Sequence, residues 1–249
     1  MKTNLLNLGK SVLMLGVLAS TMMFQSCLKD DDNYHYSDLL PNALVTVKPV
    51  DGGDTYFLQL DDTTTLLPVN VTSSPYGTKE VRALVNFEEV NEPSGEYTKA
   101  VHINWMDSIL TKTIAPDLGL QNDSVYGTDP VEIVNDWVTI AEDGYLTLRF
   151  RTERGEKLFV NLLLGKNSEN PYEVEFRHNA FGNNYGPMAD GLVAFRLDSL
   201  PDTKGETVNL KLKWKSYSGD KSVEFKYCTR KSTPASAALA AERSVLNLN

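Results

Sequence analysis

The sequence predicts an all-β protein, a small Greek-key barrel followed by an antiparallel β-sandwich. Three observations predict it. Apolar and polar residues alternate at period two along most of residues 41–230, the pattern of half-buried strands. The alternating runs are short and separated by Gly, Pro, Asn and Asp clusters, which supply turns. They also fall into two groups, divided by the turn-rich run GLQNDSVYGTDP that ends at Pro130.

The N-terminal segment precedes this pattern. Lys2 and Lys10 form a basic start, and Ser11 to Phe24 carries no charge. That length suits the apolar region of a signal peptide and falls short of the roughly 20 apolar residues of a membrane-spanning helix. Phe24-Gln25-Ser26-Cys27 resembles the lipobox of bacterial lipoproteins. The expected outcome is cleavage after residue 26 and lipidation of Cys27; an ordinary secretory signal with an incidental cysteine is the competing reading. Acyl chains contribute roughly 0.8 kcal/mol per buried CH₂, so such a group would anchor the chain firmly and be its membrane contact. Lys29, Asp30, Asp31 and Asp32 follow directly. They read either as a solvated tether or, by resemblance, as the acidic export signal of surface lipoproteins. The expected address is the outer membrane, at the cell surface, with a periplasm-facing position as the alternative. Residues 27–40 then form an acidic tether and linker.

Charge narrows the partners. The formal charge is −9, and removing residues 1–26 takes away two lysines and no acid, leaving −11. Nucleic acid is disfavoured, since its binding rests on cations that neutralise phosphates. With Cys27 lipidated, Cys228 would have no partner and the fold would rest on burial of its core.

The first module is expected over 41–120. Ala43–Val47 and Tyr56–Leu60 are strand candidates around an Asp51-Gly52-Gly53-Asp54 turn. Val81, Ala83, Val85 and Phe87 share one face, with Arg82, Asn86 and Glu88 opposite; Val101, Ile103 and Trp105 share another, against Ala100, His102 and Asn104. A fifth strand is expected near Thr111–Ala115. The second module is expected over 121–230. Leu146, Leu148 and Phe150 face inward and Thr147, Arg149 and Arg151 outward; Leu158 to Leu164, Val174/Phe176, Val193 to Leu197, Val208 to Trp214 and Val223 to Tyr227 continue the alternation. About seven strands over some 100 residues fit a sandwich. The tail, 231–249, is alanine-rich over Ala235–Leu246 and reads as a short helix or a frayed end.

Three stretches carry a family resemblance. They are Val81 to Phe87 (VRALVNF); Val138-Thr139-Ile140 with Gly144 to Phe150 (GYLTLRF); and Phe176 to Ala180 (FRHNA). Together with the acidic leader they resemble the NigD-like lipoproteins of gut and oral Gram-negative bacteria, over about residues 1–230. The resemblance implies an N-terminal OB-type domain and a C-terminal β-sandwich domain. The family's association with a bacteriocin gene cluster suggests immunity without fixing an activity, and an OB-type fold by itself says nothing about ligand.

No catalytic signature stands out. The three histidines are His35 in the linker, His102 on a polar strand face, and His178 at a strand end beside Val174 and Phe176. His178 is either a hydrogen-bonded, partly buried residue or a ligand contact. No Cys/His spacing suits zinc, no GxSxG or phosphate loop occurs, and Asp51…Asp54 and Asp61-Asp62 read as turn chemistry. The expectation is therefore no enzyme, no metal and no cofactor. Asn179 to Ala189 is the candidate ligand loop: Phe181 and Tyr185 offer flat faces, and Asn183 and Asn184 offer donors and acceptors. Its alternative is a connection whose aromatics cap the core. Lys211, Lys213 and Lys215 alternate with apolar residues and read as solubilising or anion-binding. Asp precedes Thr63, Ser108, Ser124 and Ser199, each resembling an O-glycosylation sequon. Three functions follow: a non-catalytic binding module for a glycan, a peptide or an envelope protein; an immunity or structural accessory protein; and, least favoured, a hydrolase.

Overall fold

The computed structural model describes residues 39–155, 157–167, 169–182 and 185–230. The expectations for Cys27, Lys29, Asp30 to Asp32, His35, Asn183, Asn184 and the tail lie outside these residues.

The first module is a closed barrel. Its strands are β1 (Ala43–Val50), β2 (Thr55–Gln59), β3 (Thr65–Pro68), β4 (Val81–Val90) and β5 (Lys99–Ser108), in the order β1-β2-β3-β5-β4. The inward faces of the alternating runs supply its core, with Val45, Val47, Leu58, Leu66, Ala83, Val85 and Val101 all buried. A bulge shifts the β4–β5 register between Asn86 and Phe87. Bulges insert a residue and re-aim the side chains beyond them. Met106 therefore packs against this core, in the place expected for Trp105.

The strand expected near Thr111–Ala115 is β6 (Leu110–Thr113), and it belongs to the second module, pairing in parallel with residues 193–196. Ile109 explains the departure. It is buried with Leu44, Val138, Tyr145 and Ala194 in a small cluster between the modules, so burial draws the chain from barrel to sandwich there. The barrel's missing strand is the short β3, whose Thr65-Leu66-Leu67-Pro68 sequence lacks clean alternation.

The second module packs two sheets face to face. One contains β6, β7 (Glu132–Val134), β8 (Ile140–Glu142), β9 (Tyr145–Glu153) and β12 (Met188–Arg196), in the order β6-β12-β9-β7 with β8 also on β9. The other is β10 (Phe159–Leu164), β11 (Glu173–Asn179), β13 (Val208–Ser216) and β14 (Gly219–Tyr227), in that order. Phe176 joins the layers: its ring centroid lies 5.7 Å from that of Phe150 and 6.0 Å from that of Phe195. Most pairings are antiparallel, but β6–β12 and β11–β13 are parallel. Parallel neighbours need a crossover, and β12 in the opposite sheet provides it between β11 and β13. A single turn of helix, α1 (Asn122–Tyr126), forms within the turn-rich run.

Polar side chains fasten barrel to sandwich. Lys48 Nζ donates to Asp143 Oδ1 at 2.9 Å and to Gln59 at 3.2 Å. Arg82 reaches Glu142 at 3.1 Å, Thr46 at 3.0 Å and Thr147 at 3.4 Å. Glu80 accepts from the Tyr145 hydroxyl at 2.6 Å and from Arg230 at 2.7 Å. Arg82 and Thr147, expected on outward faces, have no exposed surface at all. They do point away from their own cores, but toward the other module.

Candidate functional site

The strands β11 and β13 run side by side until Phe176 and Trp214, where their pairing ends. Beyond that point a segment from the α1–β7 connection enters between them. Asp129 N–H donates to the His178 carbonyl at 3.0 Å, and Val131 N–H donates to the Lys215 carbonyl at 3.0 Å. Gly127 makes the approach possible: it has φ +80°, and a β-carbon there would lie 2.3 Å from the His178 carbonyl oxygen. Only glycine tolerates both conditions. Asp129 Oδ2 then accepts from the Ala180 N–H at 2.7 Å, tying the segment to the end of β11.

This wedge leaves a concavity of about 400 Å³ lined by residues of α1–β7, β11, β13 and β14, among them Asp129, Glu175, Arg177, His178, Trp214, Lys215 and Asp220. Cations and carboxylates alternate around it. Arg177 pairs with Asp123 at 2.8 Å and with Glu175 at 2.9 Å, and Lys221 pairs with Glu132 at 2.9 Å.

Two residues beside the concavity, His178 and Trp214, are chemically distinctive. His178 is 1% exposed, more deeply buried than either sequence reading supposed. Its Nδ1 lies 3.2 Å from the Pro130 carbonyl. A carbonyl only accepts, so Nδ1 carries the proton and Nε2 presents a bare lone pair. Burial holds the imidazole below its ordinary pKa of 6.5, outweighing the Pro130 carbonyl and Asp129, which favour the proton. Five buried side-chain atoms among the described residues lack a hydrogen-bond partner: Tyr56 Oη, Asp143 Oδ2, Arg177 Nε, His178 Nε2 and Trp214 Nε1. Three of the five residues line this concavity. For Arg177 Nε the shortfall is one of alignment, since Glu175 is within ion-pair distance. For His178 Nε2 and Trp214 Nε1 there is no partner at all. Orphaned buried polar atoms are rare, and Trp214 here belongs to the sandwich core.

None of the described residues of the candidate loop lines this concavity. Asn179 closes the strand, its Oδ1 accepting from Phe181 N–H at 2.9 Å. Phe181 has φ +52° and packs edge-on against Phe159 at 5.3 Å, both half-exposed. Tyr185 is almost wholly exposed. The loop's aromatics therefore neither cap the core nor meet in a pocket.

The remaining expectations fall out singly. His102 is exposed, as are Thr63, Ser108, Ser124 and Ser199. Asp61 Oδ1 accepts from the backbone N–H groups of Thr63 and Thr64, each at 2.8 Å, a turn motif. Lys211 and Lys213 share the buried carboxylate of Glu173, at 3.8 and 3.4 Å, which offsets charge that an anion would otherwise find. Sequence reasoning missed Trp214 and the wedge. Trp214 reads there as one more inward residue, and only Gly127 hinted that a loop passes close to a strand.

Two β modules, a closed barrel and a sandwich with a concavity at a break in one sheet, define the class of protein: a two-domain, barrel-plus-sandwich body. Residues 44–109 match the NigD-like N-terminal OB domain and residues 113–227 the NigD-like C-terminal β-sandwich domain, so the chain belongs to the NigD-like family. Among solved structures it is similar to a Parabacteroides distasonis protein provisionally described as toxin-related, with 37% identity, a TM-score of 0.64, and coverage of 83% of this chain and 98% of that one. A NigD-like immunity protein from Bacteroides caccae shares the fold at 20% identity and a TM-score of 0.54, over 75% of this chain and 96% of that one. A Bacteroides fragilis protein provisionally described as a lipoprotein does so at 14% identity and a TM-score of 0.52, over 76% and 98%. No curated protein matches the chain.

Proposed function

We propose that this chain is a lipid-anchored protein of the outer membrane, displayed at the cell surface, whose β body is a non-catalytic binding module. The observation that carries the binding role is the concavity at the ends of β11 and β13, lined by charged side chains of both signs, among them Asp129, Glu175, Arg177, Lys215 and Asp220. The concavity's volume of about 400 Å³ falls within the usual range for small-ligand sites, about 300–1,000 Å³. The anchor is supported by the Ser26-Cys27 junction and the acidic run that follows it. The lipoprotein description of the Bacteroides fragilis neighbour agrees with it. No helix among the described residues is long and apolar enough to cross a membrane.

The binding role is tested in living cells by placing a photo-crosslinking amino acid at Lys215, on the rim, or at Lys99, on the barrel. Adducts with an envelope component are expected from position 215 and not from 99; equal labelling, or none, rejects the concavity as a binding site. Labelling with radioactive palmitate should mark the protein and be lost in Cys27→Ser. Intact cells treated with protease should lose the β body if it is displayed outside. Mass spectrometry of the exported chain also decides whether Thr63, Ser108, Ser124 or Ser199 carries sugar.

A second reading is an immunity or accessory role, favoured by the toxin-related description of the 37%-identical relative. It predicts that deletion alters bacteriocin sensitivity alone, and that rim substitutions at the concavity leave that sensitivity unchanged.

A further inference from the structure

The strand edges of this protein are unequal. The barrel is closed and has none. In the sandwich, β6, β7 and β8 are only four, three and three residues long. The edge of β10 is covered by β6 and the residues after it: Lys112 Nζ donates to the Val160 carbonyl at 2.6 Å, and Ala115 N–H to the Leu162 carbonyl at 2.8 Å. β14 is different. It pairs with β13 over nine residues with no register shift and no proline, and residues 219–224 and 226 are all exposed. Long flat edges are normally shortened, bulged or covered, because their unpaired N–H and C=O groups invite a further strand.

Which backbone groups are free follows from the register. Lys211 N–H donates to the Tyr172 carbonyl at 2.8 Å, and the Lys215 carbonyl accepts from Val131 N–H at 3.0 Å. Odd-numbered residues of β13 therefore turn their backbone groups away from β14, and its even-numbered residues bond to β14. Leu212 faces Val223, so the odd-numbered residues of β14 are the ones engaged. The N–H and C=O groups of Asp220, Ser222, Glu224 and Lys226 are left pointing out of the sheet. No backbone hydrogen bond to another described residue takes them up. Their side chains share the outer face with Lys211, Lys213 and Lys215, while Val223 and Phe225 share the inner face with Leu212 and Leu210.

We propose that β14 is an interaction edge for a second copy of this chain, the two strands pairing antiparallel about a two-fold axis at Val223. Charge selects that register. With the axis at Val223, Asp220 of each copy faces Lys226 of the other, and Ser222 faces Glu224. Moving the axis to Ser222 sets Asp220 against Glu224, and moving it to Glu224 sets that carboxylate against its own copy. Like charges directly opposite one another are destabilising and opposite charges stabilising. Lysines normally blunt an edge, but here Lys226 has an acid to meet. The four free residues of each strand exchange about eight backbone hydrogen bonds. Val223, whose surface is 37% exposed, is covered by its own counterpart. Such an interface is self-complementary and closes at two copies.

The test is disulfide trapping in cells that express the full chain on a Cys228→Ser background, with that background alone as the reference. Val223→Cys, Ser222→Cys and Glu224→Cys are oxidised separately with copper–phenanthroline and run on non-reducing gels. Position 223 faces itself at a non-hydrogen-bonded pair, with Cα atoms about 4.5 Å apart, within disulfide range. Positions 222 and 224 lie about 9 Å from their own counterparts, beyond that range. The expected result is a covalent species of twice the chain's mass from Val223→Cys and none from the other two. All three side chains are exposed, so the variants leave the core intact. Asp220→Lys or Lys226→Asp alone should weaken association at least about tenfold, each turning two attractive pairs into repulsive ones. Co-expressing those two variants with different tags should restore pairing between them and not within either. A stronger dimer from position 222 or 224 overturns the register. A Val223→Cys adduct of any other mass overturns the second copy in favour of another protein's strand. No adduct from any position, or trapping that ignores the charge swaps, overturns the proposal.

Discussion

Two of the places where this molecule buries polar side chains are treated in opposite ways. At the barrel–sandwich junction three cations (Lys48, Arg82, Arg230) meet three carboxylates (Glu80, Glu142, Asp143) through direct contacts. Apart from Asp143 Oδ2 the junction leaves nothing orphaned. At the end of β11 two ring nitrogens of opposite hydrogen-bonding character are buried with no partner. Burial alone therefore does not mark a functional group here. The junction uses polar contacts to fix one arrangement of two modules, while the end of β11 leaves two ring nitrogens unpaired.

The sharpest way to break this contrast is to cut the junction. Arg82→Ala removes a side chain with no exposed surface and strands Glu142, whose burial already raises its carboxyl above the ordinary range despite Arg82 beside it. Breaking a buried pair from one side costs about 3–5 kcal/mol, which urea unfolding would register as a large drop in midpoint. Arg82→Met with Glu142→Leu should recover much of that loss. A single-site loss under 1 kcal/mol would mean the junction is not a structural lock.

Next in size is the wedge. Gly127→Ala puts a β-carbon 2.3 Å from the His178 carbonyl and forces φ +80° on alanine. The expected cost is about 1–3 kcal/mol. Its signature should be local, with faster amide exchange at Asp129 and Val131 and unchanged protection at Arg82. Uniform loss of protection would instead make the wedge part of the global fold.

The junction and the concavity also differ in how legible they were. Period-two alternation exposed most strands, because one face of each meets a core. It failed where that premise fails. Arg82 and Thr147 face away from their own cores yet are buried, since the second module covers them, and no pattern within one strand reports a neighbour that is remote in sequence. Trp105 and Met106 exchanged roles because a bulge resets the period, and a bulge without glycine leaves little mark. His178 was visible as a histidine on an apolar face. Its partnerless Nε2 was not, because that depends on where Pro130 and Trp214 arrive. The FRHNA stretch thus ends beside the concavity, and the aromatic loop follows it directly in sequence.

Acid distinguishes the regions more gently. Burial depresses the His178 pKa, so its contribution to stability is fully present above the unfolded-state value near 6.5 and is lost as pH falls through the lower folded value. Glu80 acts in the same sense at lower pH: burial would raise its carboxyl, but Arg230 and the Tyr145 hydroxyl outweigh that and hold it below its ordinary 4.5. Wild type should thus lose stability below pH 6.5 before the junction carboxylates titrate. His178→Gln, whose amide does not titrate, should flatten this first part of the profile and leave the steeper acid limb intact. An unchanged profile would show that His178 is not held neutral by its surroundings.

The smallest effect supplies the control for all the others. Lys99 and Glu89 form an ion pair on the barrel surface, with 43% and 58% of their side chains exposed. Water screens such a pair and two long side chains lose freedom to make it, so exposed pairs contribute about 0.2–1 kcal/mol. Lys99→Ala should shift the urea midpoint barely, and added salt should narrow even that difference. Lys48→Ala, which leaves the buried Asp143 only the longer contact to Arg230 at 3.6 Å, should lose far more and respond little to salt. If the two variants cost the same, then being covered by the second module adds nothing to a charge pair here, and the distinction between junction and surface collapses.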